Sequence, residues 1–276
     1  MSLMEKSYKT SLQGNQMNSE SMLQDDSPKT WESQSFKYKS FIANVYLRTL
    51  PLMFTSAFPK LVNGVYHTTR GDKEKRIQAF LDGSKIWGES VRSMTRSKLQ
   101  AFNTIDVPTK GHLVFSNHVN EMDFPFDCYF IARPYLANQV IKKTLFAYWW
   151  MKAMGSEVFD NRNTMSISLS VRNLIRGIKD NSFIVYPEGR NTYSEKINPL
   201  KKGMLKLAFD YKLPIAIVLK SGISSFQNQL KDNKIGYKFY GIVQPTEFDK
   251  WESLRDHVHT IMLNGKSELD QLTEKM

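Results

Sequence analysis

The chain has 276 residues, 41% of them apolar and 24% charged, enough for one α/β domain with added elements or two small domains. Its formal charge of +11 calls for an anionic lipid surface, a phosphate-bearing substrate or nucleic acid. The lack of zinc-finger spacing, an RNP-like run or an arginine-dense arm argues against nucleic acid, and the single cysteine, Cys128, excludes an internal disulfide and a cysteine-based metal site.

Residues 1–35 are polar, Ser/Gln-rich and periodic at neither 2 nor 3.6, and lack the apolar core of a signal peptide. A disordered tail is expected there. Residues 36–107 read as a helical segment. Phe41, Ile42, Val45, Tyr46, Leu50, Phe54 and Phe58 recur at helical spacing, with Pro51 and Pro59 as kinks or ends. Only 11 uncharged residues separate Arg48 from Lys60, whereas a membrane crossing needs about 20. The segment is therefore expected to lie on a membrane or against the main domain. From Arg70 to Lys98, eight Lys/Arg face four Asp/Glu. Ile77, Phe80, Leu81, Ile86, Trp87 and Val91 fit a helix there, which Gly83 and Gly88 weaken.

The remainder, 108–276, alternates strand and helix. Strands are expected at His112–Phe115, Leu136–Ile141, Glu157–Phe159, Ser182–Tyr186, Ile215–Leu219 and Tyr237–Val243. Ile215–Leu219 is apolar on both faces and so should be central. Helices are expected over Phe124–Tyr135, capped by Asp123, after Thr164 as a cap, from Pro199 to Asp210, and around Trp251 to Met262. The apolar run Leu145–Met151 holds two adjacent tryptophans, which suit the mouth of an apolar tunnel or a membrane interface. This alternation predicts an α/β fold with a mostly parallel central sheet and helices on both faces. Neither a G-x-G-x-x-G fingerprint nor a P-loop pattern is present.

Two strand ends carry the polar residues of interest: Ser116-Asn117-His118, followed by Asp123, and Tyr186-Pro187-Glu188-Gly189-Arg190. Open α/β sheets place their chemistry at such ends. A histidine beside a carboxylate, without a convincing serine or cysteine nucleophile, points to general-base chemistry on a bound hydroxyl. His118 would take the alcohol proton during attack on a thioester, and Asp123 would hold its other ring nitrogen. Five residues apart, the two sit about 140° around a regular helix, so a loop or helix start must separate them. Ser116 lies too close along the strand to use His118 as its base, and G-x-S-x-G is absent. A metal set of His112, His118, Asp123 and Asp127 is poorly spaced, because His112 sits at the far end of the strand. No metal or bound organic cofactor is indicated. Arg190, Lys201 and Lys202 offer cations, and the helix start near Lys202-Gly203 offers N–H groups, for an anionic group.

His118-Val-Asn-Glu-Met-Asp123 resembles the H-x-x-x-x-D signature of the glycerolipid acyltransferases, the group containing the lysophosphatidic acid acyltransferases. Tyr186-Pro187-Glu188-Gly189 resembles their F-P-E-G block, Gly155–Asn161 their G-x-x-F-I-D-R block with Arg162 one place late, and Leu213–Ile217 their V-P-I-V-P block. Coverage is about residues 108–250. The resemblance implies His118 as base with Asp123 as partner. It also implies substrate binding by Asn117, Glu188 and Gly189, with a phosphate met by Arg162, Arg190, Lys201 and Lys202. The usual third-block arginine is Asn191 here and its threonine is Arg190, so either the cations come from shifted positions or the acceptor is not the standard lysophosphatidate. The implied reaction is O-acyl transfer from acyl-CoA or acyl-carrier protein to a lysophospholipid, best matched by 1-acyl-sn-glycerol-3-phosphate. Glycerol-3-phosphate or another lysolipid as acceptor, thioester hydrolysis, and non-catalytic binding to anionic membranes are the alternatives. The long acyl chain would run along residues 145–151 and the aromatic helix after Asp123. The expected location is the cytoplasmic face of a membrane, peripheral or monotopic.

Overall fold

The computed structural model describes residues 30–143, 145–160 and 163–276. The expected disordered tail falls largely outside these residues. The first helices are α1 (Phe36–Thr49), a 3-10 turn at Leu50–Phe54, α2 (Phe58–Thr69) and α3 (Lys73–Thr95). Pro51 and Pro59 each sit in the first turn of a new helical element, where a missing N–H costs little. Asp72 caps α3 by accepting the Lys75 N–H at 3.1 Å, and Arg96, left-handed at φ 50°, ends it. Gly83 and Gly88 lie inside this helix because neighbours come too close for a side chain. A Cβ at Gly88 would stand 2.4 Å from the Pro125 carbonyl oxygen, and one at Gly83 would stand 3.1 Å from the Trp150 ring.

The chain continues through β1 (Lys98–Ala101), β2 (Leu113–Phe115), α4 (Asp123–Phe130), β3 (Leu136–Asn138), α5 (Leu145–Ala153), β4 (Glu157–Phe159) and α6 (Thr164–Gly177). It ends with β5 (Phe183–Val185), α7 (Lys202–Asp210), β6 (Ile215–Ser221), β7 (Lys234–Val243) and α8 (Trp251–Glu274). Five strands form a sheet in the order β1-β7-β6-β2-β5. β6, β2 and β5 are mutually parallel, β7 runs antiparallel to β6, and β1 is parallel to β7. The parallel pair β3–β4 extends this sheet beyond β5 through a bridge between Tyr135 and Ile184. The sheet thus begins at Lys98, inside the stretch to residue 107 expected to be helical. β1 is a short edge strand whose residues are mostly exposed, so it shows no apolar alternation in the sequence.

All seven residues of β6 are buried, as a central strand requires. Alternating strand residues serve two cores. Leu113, Phe115, Phe183, Val185, Ile215 and Ile217 face the helices α6, α7 and α8. Val114, Ile184, Ala216 and Val218 face α1, α3, α4 and α5. Tyr38, Phe80 and Trp87 from the first helices are fully buried in that second core, each contributing roughly 1.5–3 kcal/mol of apolar burial. The N-terminal helices therefore share a core with the sheet.

Three boundaries differ from expectation for local reasons. α4 stops at Phe130, with Ala132 left-handed at φ 47° and Pro134 disfavouring helix before it. The strand expected to reach Ile141 ends at Asn138 and passes into a 3-10 turn. Asn163, rather than Thr164, caps α6 by accepting the Ser166 N–H at 2.9 Å.

Candidate active site

The end of β2 is anchored on both sides before it releases His118. The Ser116 N–H donates to the Val185 carbonyl at 3.1 Å. The Asn117 side chain donates to the Lys220 carbonyl and accepts the Lys220 N–H, each at 3.0 Å, so both its polar atoms are committed to the main chain of β6. His118 then turns its Nδ1 to Asp123 Oδ2 at 2.7 Å. The same oxygen accepts the N–H groups of Val119 and Asn120 at 2.7 and 3.2 Å. Asp123 thus closes the loop behind it from the first turn of α4, giving the loop-then-helix separation that the spacing demands. The Asp123 side chain is 1% exposed and that of His118 21%. With Nδ1–H donated to the carboxylate, Nε2 is the basic nitrogen.

The second loop packs directly on this pair. The Tyr186 ring stacks on the His118 ring at 3.9 Å and 12°. Glu188, buried, accepts the His118 N–H at 2.9 Å and the Asn198 N–H at 2.7 Å. Its carboxylate binds the two loops together. Burial pushes the Glu188 carboxyl up to about 7, against the opposing pull of those two N–H donors. Thr192 and Tyr193 donate their N–H groups to the carbonyls of His118 and Val119 at 2.9 and 2.8 Å. Gly189 turns the loop at φ 72°, a conformation that favours glycine, with the Lys201 side chain against it.

His118 opens onto a cavity of about 1210 Å³, above the usual 300–1,000 Å³ of small-molecule clefts. Trp87 from α3, Phe124 from α4, Tyr135, and Phe146, Trp150 and Met151 from α5 line its apolar part. Phe146, Ala147, Trp150 and Met151 of the apolar run, with Phe124 of α4, thus line the cavity beside His118. Gly189, Arg190 and Lys201 line the same cavity, and both cations are exposed. Lys202 instead lies over the Trp251 ring of α8, 5.2 Å from its centroid. Arg162 lies outside the described residues. Asn191 is engaged with Glu121 Oε1 at 2.8 Å and the Tyr193 hydroxyl at 3.0 Å.

Residues 95–219 match the model of a family described as acyltransferase. The crystal structure of PlsC from Thermotoga maritima, a 1-acyl-sn-glycerophosphate (LPA) acyltransferase, has a similar fold. The TM-score is 0.70 at 20% identity, over 84% of this chain and 96% of that one. No curated protein matches the chain. The matched region includes β1 and ends within β6, so it takes in both polar strand ends.

The candidate site also holds residues that sequence reasoning missed. Lys220, at the end of β6, is 0% exposed and places Nζ 2.7 Å from Asp127 Oδ2 and 3.5 Å from Asp123 Oδ1. Asp127 also accepts the hydroxyls of Tyr186 and Tyr237, each at 2.7 Å. Burial pushes the Asp127 carboxyl up, and Lys220 pulls it the other way. Asp127 follows Asp123 by one helical turn, a spacing that puts both carboxylates on one face. Glu121, inside the H-x4-D loop, accepts the hydroxyls of Tyr38 and Tyr193 at 2.9 and 2.5 Å, while its carbonyl accepts the Tyr46 hydroxyl at 2.8 Å.

Proposed function

We propose that this acyltransferase moves a fatty acyl group from an acyl-CoA or acyl-carrier-protein thioester to the free hydroxyl of a lysophospholipid, with 1-acyl-sn-glycerol-3-phosphate as the preferred acceptor. The carrying observation is a histidine whose Nδ1 is held by a buried carboxylate at the mouth of a large apolar cavity. His118 Nε2 takes the acceptor's proton as its oxygen attacks the thioester carbonyl, and the thiol leaves after the tetrahedral intermediate collapses. Such a base supplies roughly 10²–10⁴-fold of the rate. The apolar cavity suits the acyl chain, and Arg190 and Lys201 suit the acceptor's phosphate from positions shifted relative to the family pattern. This chemistry calls for no bound cofactor, the thioester being a co-substrate.

Such an enzyme must reach its acceptor in a bilayer. No helix among the described residues is long and apolar enough to cross a membrane. α1, the turn after it and α2 leave Leu47, Phe54, Phe58, Val62 and Tyr66 exposed. With the chain's charge of +11, this suits peripheral or monotopic binding at an anionic cytoplasmic leaflet.

Thiol release from palmitoyl-CoA, with and without 1-acyl-glycerol-3-phosphate, tests the reading in the parent, His118→Ala and Asp123→Ala. Acceptor-dependent release should fall roughly 10²–10⁴-fold in His118→Ala. Release that ignores the acceptor but needs His118 would instead make the chain a thioester hydrolase.

A further inference from the structure

We propose that Lys220 is a positioning residue for the His118–Asp123 pair, its buried ammonium and the opposing Asp127 setting the charge against which His118 takes up a proton. This rests on the reading of His118 as the base.

Asp123 is the starting point. Its Oδ2 accepts from His118 Nδ1 and from two backbone N–H groups. Its Oδ1 is buried and accepts no hydrogen bond. A carboxylate oxygen enclosed in this way is costly unless a cation lies close. Lys220 Nζ is that cation, 3.5 Å away. The same ammonium lies 4.7 Å from the centroid of the Tyr186 ring, the ring that stacks on His118. Lys220, which does not line the cavity, therefore reaches both supports of the histidine from β6, its carboxylate and its stacking partner.

The charges balance in a particular way. Asp123 and Asp127 with Lys220 leave one negative charge in excess, and a proton on His118 neutralises it. Among the described residues the other titratable groups around the histidine come from every packed element. Glu188 meets its backbone N–H, Tyr186 comes from the end of β5, and Tyr237 comes from β7. Glu121 lies in its own loop, tied to Tyr38 of α1 and to Tyr193. Cys128 of α4 meets the Tyr135 hydroxyl, and Tyr135, Arg190 and Lys201 line the cavity. Of these groups only Lys220 is a buried cation. Removing it leaves the negative charges of Asp123, bonded to His118, and of nearby Asp127 without their cation, which favours the imidazolium. Removing the Asp127 charge leaves Asp123 and the ammonium in balance, with no excess negative charge for the imidazolium to neutralise, which disfavours it.

The test follows the His118 imidazole by NMR in full-length protein labelled with 15N at its five histidines, with His118→Gln giving the assignment. Relative to the parent, the His118 titration midpoint should move to higher pH in Lys220→Met and to lower pH in Asp127→Asn. The charge-neutral double variant should return towards the parent. Unmoved midpoints, or single variants that move together, would overturn the proposal. If Lys220→Met fails to fold, Asp127→Asn against the double variant still reads the sign. The titration needs no substrate, so a parent without acyl transfer counts against the proposed function alone. An active parent whose variants titrate unchanged counts against the role of Lys220 alone.

Discussion

Glu188 carries a carboxyl into the protein between two loops, where the N–H groups of His118 and Asn198 are its donors. Burial is the largest influence on it and raises it to about 7. Because it holds its proton more tightly folded than unfolded, its stabilising contribution is full below the ordinary carboxylate range. That contribution is lost as pH rises through about 7. Thermal melts between about pH 5 and about pH 8.5 should show the parent losing stability across this window. Glu188→Gln cannot titrate and offers one acceptor to two N–H groups. It should be less stable by roughly 1–3 kcal/mol at the acid end, with the gap narrowing as pH rises. A gap that widens would mean the carboxyl is favoured in its charged form. The sequence announced Glu188 as a polar residue at a strand end, which suggested contact with a ligand. The buried lysine was harder to see, because a lysine after Ile-Ala-Ile-Val-Leu reads equally as the strand's exit to solvent. Cys128 behaves as its surroundings predict: burial pushes its thiol up, away from thiolate chemistry.

The contact between α3 and α4 shows what the glycines of a helix can mean. Gly88→Ala should gain up to about 1 kcal/mol of helix propensity, yet its methyl group would meet the Pro125 carbonyl at 2.4 Å. Backbone cannot yield as a side-chain tip can, so a net loss of about 1–3 kcal/mol is expected in urea unfolding. Turnover should fall with it, since Asp123 stands two residues before Pro125 in the same helical turn. Gly203→Ala in α7, where a Cβ meets nothing within 4 Å, should instead gain up to about 1 kcal/mol. Equal behaviour of the two variants would remove packing as the explanation. The sequence showed these glycines only as weaknesses in a helix, because close approach is a property of the partner. The long, strongly periodic elements were legible in the same way as β6: one-sided or two-sided burial left its mark on the pattern. β1 left none, being short and mostly exposed.

At the scale of the molecule, residues 36–107 read as a helical segment and 108–276 as an α/β domain, because one pattern is helical and the other alternates strand and helix. The shared core around Tyr38, Phe80 and Trp87 packs that segment against the main domain, one of the two placements expected, and a contact between distant segments has no one-dimensional signature. What remains exposed is an apolar stripe on α2, with Phe58, Val62, Val65 and Tyr66 at helical spacing. Phe54→Ser with Phe58→Ser should weaken co-sedimentation with anionic liposomes, and about 1 M salt should weaken the parent's binding further towards zero. Binding unchanged by either treatment would dissociate these helices from the membrane.

The wall that Ile42 and Tyr46 of α1 and Ser84 and Trp87 of α3 give the cavity has one more consequence. A histidine base activates water as readily as an alcohol, so the fate of an acyl group beside it depends on which of the two arrives. Tyr38 and Tyr46 fasten that wall to Glu121, between His118 and Asp123. Under the proposed reaction, the first helix would separate an enzyme that hands its acyl group on from one that leaks it.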